Sequence, residues 1–75
     1  MFNRILIKNI TKSTSSWYVC IDKSFDIITT TDIKFAKIID NHSIEYLINY
    51  LKKICPINQE YSFEVIPVWL VFIKY

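Results

Sequence analysis

The chain is expected to fold as one α+β domain, residues 1–75, with a small antiparallel sheet and a single helix packed on it, in the order β-β-(β)-α-β. Three observations predict this. The first is the final stretch, residues 61–75, YSFEVIPVWLVFIKY, in which Val65 to Ile73 run for nine residues without a charge, an amide or a hydroxyl. Both of its period-two faces are apolar, the pattern of a strand covered on both sides. The second is an apolar stripe at helical spacing between residues 41 and 55. The third is a pair of runs near the N-terminus, rich in β-branched and aromatic residues and separated by the polar segment TKSTSS.

Residues 3–10, NRILIKNI, read as the first strand. Ile5 and Ile7 fall on one face, and Arg4, Leu6, Lys8 and Ile10 on the other. Residues 11–16 connect it to a second strand, WYVCID, over 17–22. Simple alternation there groups Trp17, Val19 and Ile21 on one face and Tyr18, Cys20 and Asp22 on the other. The two strands form an antiparallel hairpin. A turn at Asp22–Ser24 leads to a short third strand over Phe25–Thr29. Thr31 or Asp32 is placed to cap one helical turn within 29–37, after which Ile38 and Ile39 lead inward.

The helix is expected to start at Asn41, a favoured N-cap residue. Ile44, Leu47, Ile48, Leu51, Ile54 and Cys55 then recur at i, i+3, i+4, i+7, i+10 and i+11, one continuous apolar stripe. Lys52 and Lys53 suit the negative end of the helix dipole, and Pro56 ends the helix. Tyr46 and Tyr50 lie at the edge of the stripe. The strand over 61–75 is expected either to be central, with the helix on one side, or to meet another molecule with its second face; if it is central, the face opposite the helix lacks cover from the chain itself. A second copy of the chain is then the most economical cover.

Composition narrows the function. A domain this short buries roughly 60% of the surface its unfolded chain exposes, whereas 52% of its residues are hydrophobic. The surplus is expected to form exposed patches that mark an interaction surface; a dense core is the alternative. A net charge of +2 is too balanced for a nucleic-acid binder held by charge. Two cysteines, Cys20 and Cys55, are too few for a disulfide scaffold. They read as reduced, buried, small apolar side chains in a cytoplasmic protein. No signal peptide is expected from MFNRILIKNITK. The longest apolar run, nine residues, is under half of the roughly twenty a spanning helix needs.

No catalytic set emerges. His42 is the one histidine, and Asp40 and Ser43 beside it do not form a triad by sequence adjacency. One histidine and two cysteines give no zinc spacing, so no metal is expected. With no glycine in the chain, phosphate-cradling loops and dinucleotide fingerprints are absent, and no cofactor is expected. Asp22, Asp26, Asp32 and Asp40 read as solvated turn residues. Arg4, Lys8 and Lys12 line one side of the first strand. With Tyr18 they make a candidate surface for single-stranded nucleic acid, although lysines also commonly protect sheet edges from aggregation. The aromatic residues supply the interface candidates, because Trp and Tyr are enriched at binding hot spots. The set is Trp17, Tyr18, Tyr46, Tyr50, Trp69 and Tyr75, joined by Leu70 and Phe72 from the apolar final stretch.

Fifteen isoleucines, eight lysines and one residue each of Ala and Arg reflect AT-rich codons, which points to a low-GC bacterium or its phages and plasmids. The segment from Phe35 to Ile54, FAKIIDNHSIEYLINYLKKI, and the later FEVIPVWLVF resemble short proteins of phages and mobile elements from low-GC Gram-positive bacteria. The shared features are an A-x-x-[FI] segment (Ala36 to Ile39) before a helix and an EVIPV-like strand (Glu64 to Val68) after it. The resemblance covers about half of the chain and carries over no functional residues. It implies a factor that acts by occluding a host enzyme or nucleoprotein complex, as host-takeover and anti-CRISPR proteins do; with the missing catalytic set and the doubly apolar final strand, the expectation is a non-enzymatic, dimeric, cytoplasmic binder of a host protein or nucleoprotein complex. The alternative is a small nucleic-acid-binding module using Arg4, Lys8 and Lys12.

Overall fold

The computed structural model describes residues 1–55 and 60–68. It is an antiparallel sheet of five strands with one helix on it: β1 (Phe2–Asn9), β2 (Thr14–Ile21), β3 (Ile27–Thr30), β4 (Ile39–Asp40), α1 (Asn41–Ile54) and β5 (Tyr61–Val68). A 3-10 turn, Ile33–Phe35, precedes β4 and is capped by Asp32, whose carboxylate accepts from Lys34 N–H. The expected class is therefore observed, and the order matches except for β4, an additional two-residue strand ahead of the helix.

The centre of the sheet is β1 and not the last strand. β5 pairs with β1 over its whole length, from Phe2–Val68 to Asn9–Tyr61. The other edge of β1 is shared. β2 takes Leu6 to Asn9, and β4 takes Phe2 and Asn3. Beyond Trp17, β2 diverges from β1 and the chain from Ala36 to Asp40 occupies the wedge, with Lys37 N–H donating to the Tyr18 carbonyl at 2.9 Å. β3 completes the sheet outside β2.

The pairing explains why proline sits in β5. Ile10 N–H donates to the Glu60 carbonyl at 3.1 Å, so the positions bonded to β1 fall on the even residues of β5. Pro67, opposite Asn3, is odd. Its nitrogen faces away from β1, where the missing N–H breaks no rung. This is the position an edge strand tolerates and a central strand does not.

The core lies between the sheet and α1. Ile5, Ile7, Tyr18, Ile39 and Leu51 are its buried centre, and Ile44, Leu47, Ile48, Ile54, Tyr61, Phe63, Ile21 and Ile27 pack around it. The helical stripe thus faces the sheet as its spacing predicts. Tyr18 and Ile21 both reach this core although they are three residues apart. A bulge between Tyr18 and Cys20 supplies the extra residue, so Tyr18 pairs with Thr29 and Cys20 with Ile28. Simple alternation through Val19 fails at that point.

The helix cap also differs from the expectation. Asp40 is the N-cap, accepting from His42 N–H at 2.7 Å. Asn41 begins the helix, and its side-chain oxygen instead accepts from Asn3 Nδ2 at 2.6 Å, satisfying an amide that is 3% exposed. Without glycine, the left-handed positions fall to Ser13 and Phe25, with φ of 55° and 62°. A phenylalanine is poorly suited there. Asp22 holds its turn: one carboxylate oxygen accepts from Ser24 N–H at 2.8 Å and from Asp26 N–H at 3.0 Å.

Candidate interaction surface

The strand registers place two different surfaces on the two faces of the sheet. The even residues of β1 (Phe2, Arg4, Leu6 and Lys8) point away from the helix, because their odd neighbours Ile5 and Ile7 are in the core. Directly opposite residues in an antiparallel ladder share a face. Ser62, Glu64, Ile66 and Val68 therefore join this side from β5, Trp17 joins it opposite Leu6, and Thr30 joins it opposite Trp17. Past the bulge Cys20 and Ile28 continue it. Among the described residues no element packs on this open face, and its apolar members Phe2 and Ile28 are 44% and 39% exposed.

Charge on the open face is partly compensated. Lys8 Nζ lies 2.9 Å from Glu64 Oε1, with both side chains a little under half exposed. Solvent screens such a pair, so it contributes about 0–1 kcal/mol. Arg4 sits between Phe2 and Leu6 on the same strand face, and its Nε is buried without a hydrogen-bond partner. Lys12 does not continue the row. It lies in the β1–β2 turn, where its backbone N–H donates to Asn9 Oδ1 at 3.0 Å. It borders a cleft of about 480 Å3 on the helix side, together with Ile7, Asn9, Phe25, Asp26, Cys55 and Tyr61. The proposed basic row is thus split between the two sides of the sheet. Tyr18, the aromatic assigned to it, is 6% exposed and belongs to the core.

The interface candidates separate in the same way. Trp17 is half-buried on the open face. Tyr46 is 77% exposed on the helix, on the opposite side of the sheet, and Tyr50 is half-buried beside the core stripe. Trp69, Leu70, Phe72 and Tyr75 lie outside the described residues. One exposed apolar group escaped the sequence reading: Ile33, Phe35 and Ile38, at 43%, 68% and 48% exposure. They flank the 3-10 turn, where neither a period of 2 nor one of 3.6 sorts inward from outward residues. Only Ile39 of the Ile38–Ile39 pair points inward, at 6% exposure.

Ionisable groups serve structure here. Asp22, Asp32 and Asp40 each accept backbone N–H bonds at a turn or cap. Burial raises the Tyr18 phenol above its ordinary 10.0, with the neighbouring Cys20 adding to the effect. Burial also raises the Cys55 thiol above 9.0. Both cysteines are free; Cys55 is half-buried, whereas Cys20 is exposed on the open face and is not the buried residue expected. Among the described residues no cluster of three or more His, Cys, Asp or Glu side chains could hold a metal, and no helix is long and apolar enough to cross a membrane. Comparison with protein-family models, with curated proteins and with solved structures finds no match to this chain.

Proposed function

We propose that this chain is a non-enzymatic binding factor that works by covering a surface of another protein, and that it does so as a homodimer. The observation that carries this reading is the open face of the sheet, where Phe2, Leu6, Trp17, Ile66 and Val68 form a mainly apolar surface with Arg4 among them. Tryptophan and arginine within an apolar surround form the composition of binding hot spots. A face of this kind on a small domain is expected to be closed by a partner. The resemblance to short phage and mobile-element proteins supplies the class of partner: a bacterial host enzyme or nucleoprotein complex, inhibited by occlusion in the cytoplasm, as anti-CRISPR proteins act.

A nucleic-acid-binding module is the weaker reading. Its three cations do not form one row, and Lys8 is already paired with Glu64. The test is affinity capture from a lysate of a low-GC Gram-positive bacterium with the tagged chain, repeated with the double variant Trp17→Ala/Ile66→Ser. A protein captured by the wild type, lost with the double variant and retained by Tyr46→Ser supports the reading. Capture of nothing under saturating expression, or capture indifferent to the open face, rejects it.

A further inference from the structure

Arg4 is the one arginine in a chain that otherwise takes its positive charge from eight lysines. It sits on the outward side of β1, between Phe2 and Leu6 and directly opposite Ile66 of β5. Its Nε is buried there with no hydrogen-bond partner. A guanidinium does not shed its proton to escape such a setting, so the charge is held in apolar surroundings. A buried donor left unpaired is unfavourable and calls for an explanation. The residue as a whole is half-buried, so part of it stays accessible to a ligand.

The acidic side chains of the chain do not compensate it. Glu64, diagonal to Arg4 on the same face, is taken by Lys8 at 2.9 Å. Asp40, on the other flank opposite Phe2, accepts from His42 N–H as the helix cap. Among the described residues no ion pair reaches Arg4. Residues 56–59 and 69–75, PINQ and WLVFIKY, contain neither Asp nor Glu.

We propose that Arg4 is the anchor by which the open face selects its partner, and that the partner presents an aspartate or glutamate side chain set among apolar residues. The inference rests on the reading of the open face as the contact surface and names the chemistry that surface recognises. The planar fork of N–H groups matches a carboxylate with two parallel bonds. Phe2, Leu6, Trp17 and Ile66 surround it on that face. They exclude water once the contact forms, and a charge-assisted bond is strongest where water is excluded. A nucleic-acid backbone is the poorer match, because a row of cations tracks it. Here Lys8 is neutralised by Glu64, and Lys12 lies on the helix side.

Selection of a displayed library of random linear peptides on the immobilised full chain tests the proposal, with Arg4→Gln, Arg4→Lys and Trp17→Ala/Ile66→Ser run in parallel. The wild type is expected to enrich peptides with an Asp or Glu flanked by apolar residues. Exchanging that acid for its amide in a synthetic copy of the best peptide is expected to weaken binding about tenfold to a hundredfold in fluorescence anisotropy. Arg4→Gln should weaken it by a similar factor, and Arg4→Lys should recover only part, because a point charge lacks the fork. The acid-to-amide exchange needs no protein variant, so it decides even if Arg4→Gln fails to fold. Arg4→Met is expected to leave the urea midpoint unchanged or to raise it, since the charge has no partner within the described chain; a lowered midpoint would make Arg4 a structural residue and overturn the proposal. Enrichment of no peptide, or of peptides without an acid, also overturns it. If such acid-free peptides are lost with Trp17→Ala/Ile66→Ser, the open face stands as a contact surface and only the role of Arg4 falls. If they survive that variant, both readings fall. Binding of single-stranded oligo(dT) that is lost with Arg4→Gln overturns the proposal as well, by assigning the guanidinium to phosphate.

Discussion

Leu51 tests how the helix is seated. It is the one residue of α1 that is fully buried, at 0% exposure, and it meets the sheet in the cluster that contains Ile5, also at 0%. Leu51→Ala removes three carbons, and at ~0.8 kcal/mol per methylene the lost transfer energy is about 2.4 kcal/mol. The space left between two rigid elements cannot fully collapse, which raises the cost to about 3–4 kcal/mol. A chain of 75 residues has roughly 4–11 kcal/mol of total stability at ~0.05–0.15 kcal/mol per residue. The variant therefore loses between a third and nearly all of it. The melting temperature is expected to fall by about 12–30 °C, at ~4–8 °C per kcal/mol. The control is Tyr46→Ala, at a position 77% exposed on the same helix, which should move stability by no more than about 0.5 kcal/mol. Urea unfolding followed by circular dichroism measures both. A cost below about 1 kcal/mol for Leu51→Ala, or equal costs for the two variants, would refute the helix orientation and the core built on it.

Asp22→Ala, which removes the acceptor of two turn N–H groups, should cost about 1 kcal/mol in urea unfolding because the bonds are exposed. Phe25→Gly should raise the urea midpoint by the equivalent of roughly 1 kcal/mol, since glycine adopts the φ of 62° without steric conflict. Asp40→Ala, which removes the carboxylate that accepts from His42 N–H, should cost about 1 kcal/mol in thermal melts, and no loss would reject Asp40 as the N-cap. The Tyr18 phenol and the Cys55 thiol are both raised in the folded state, so the fold binds their protons more tightly than the unfolded chain. Their contribution is complete below the ordinary values of 10.0 and 9.0 and is lost as pH rises through the folded ones. The urea midpoint should be flat from neutral pH to about 9 and then fall. Tyr18→Phe should remove the part of the decline above about 10, and an unchanged decline would reject the assignment.

Much of the local structure is legible in the residues themselves. Periodicity places Ile44, Leu47, Ile48 and Leu51 on one helical face, and they do face the core. Alternation puts Ile5 and Ile7 inward and Arg4, Leu6 and Lys8 outward on β1, as observed. Asp32 caps its turn as its residue type suggests. The candidate surface was only half legible. Its aromatic shortlist contained Trp17, which lies on the open face, and Tyr18, which lies in the core. Nothing in WYVCI marks a bulge, and that one extra residue reverses the assignment for Ile21.

Side-chain patterning along a regular element was thus settled by the chain's own order, because a period of 2 or 3.6 is a property of that element alone; it failed only where β2 carries a bulge. Which strand is central, which is an edge, and which cations share a face are relations between distant segments. β1 lies at the centre because β5 can claim all of one edge while β2 and β4 divide the other. An apolar run such as Val65 to Ile73 signals burial without naming what covers it. Pro67 carried the missing clue: a residue without an N–H belongs where a strand has no neighbour to bond, and only the register with β1 reveals which edge that is.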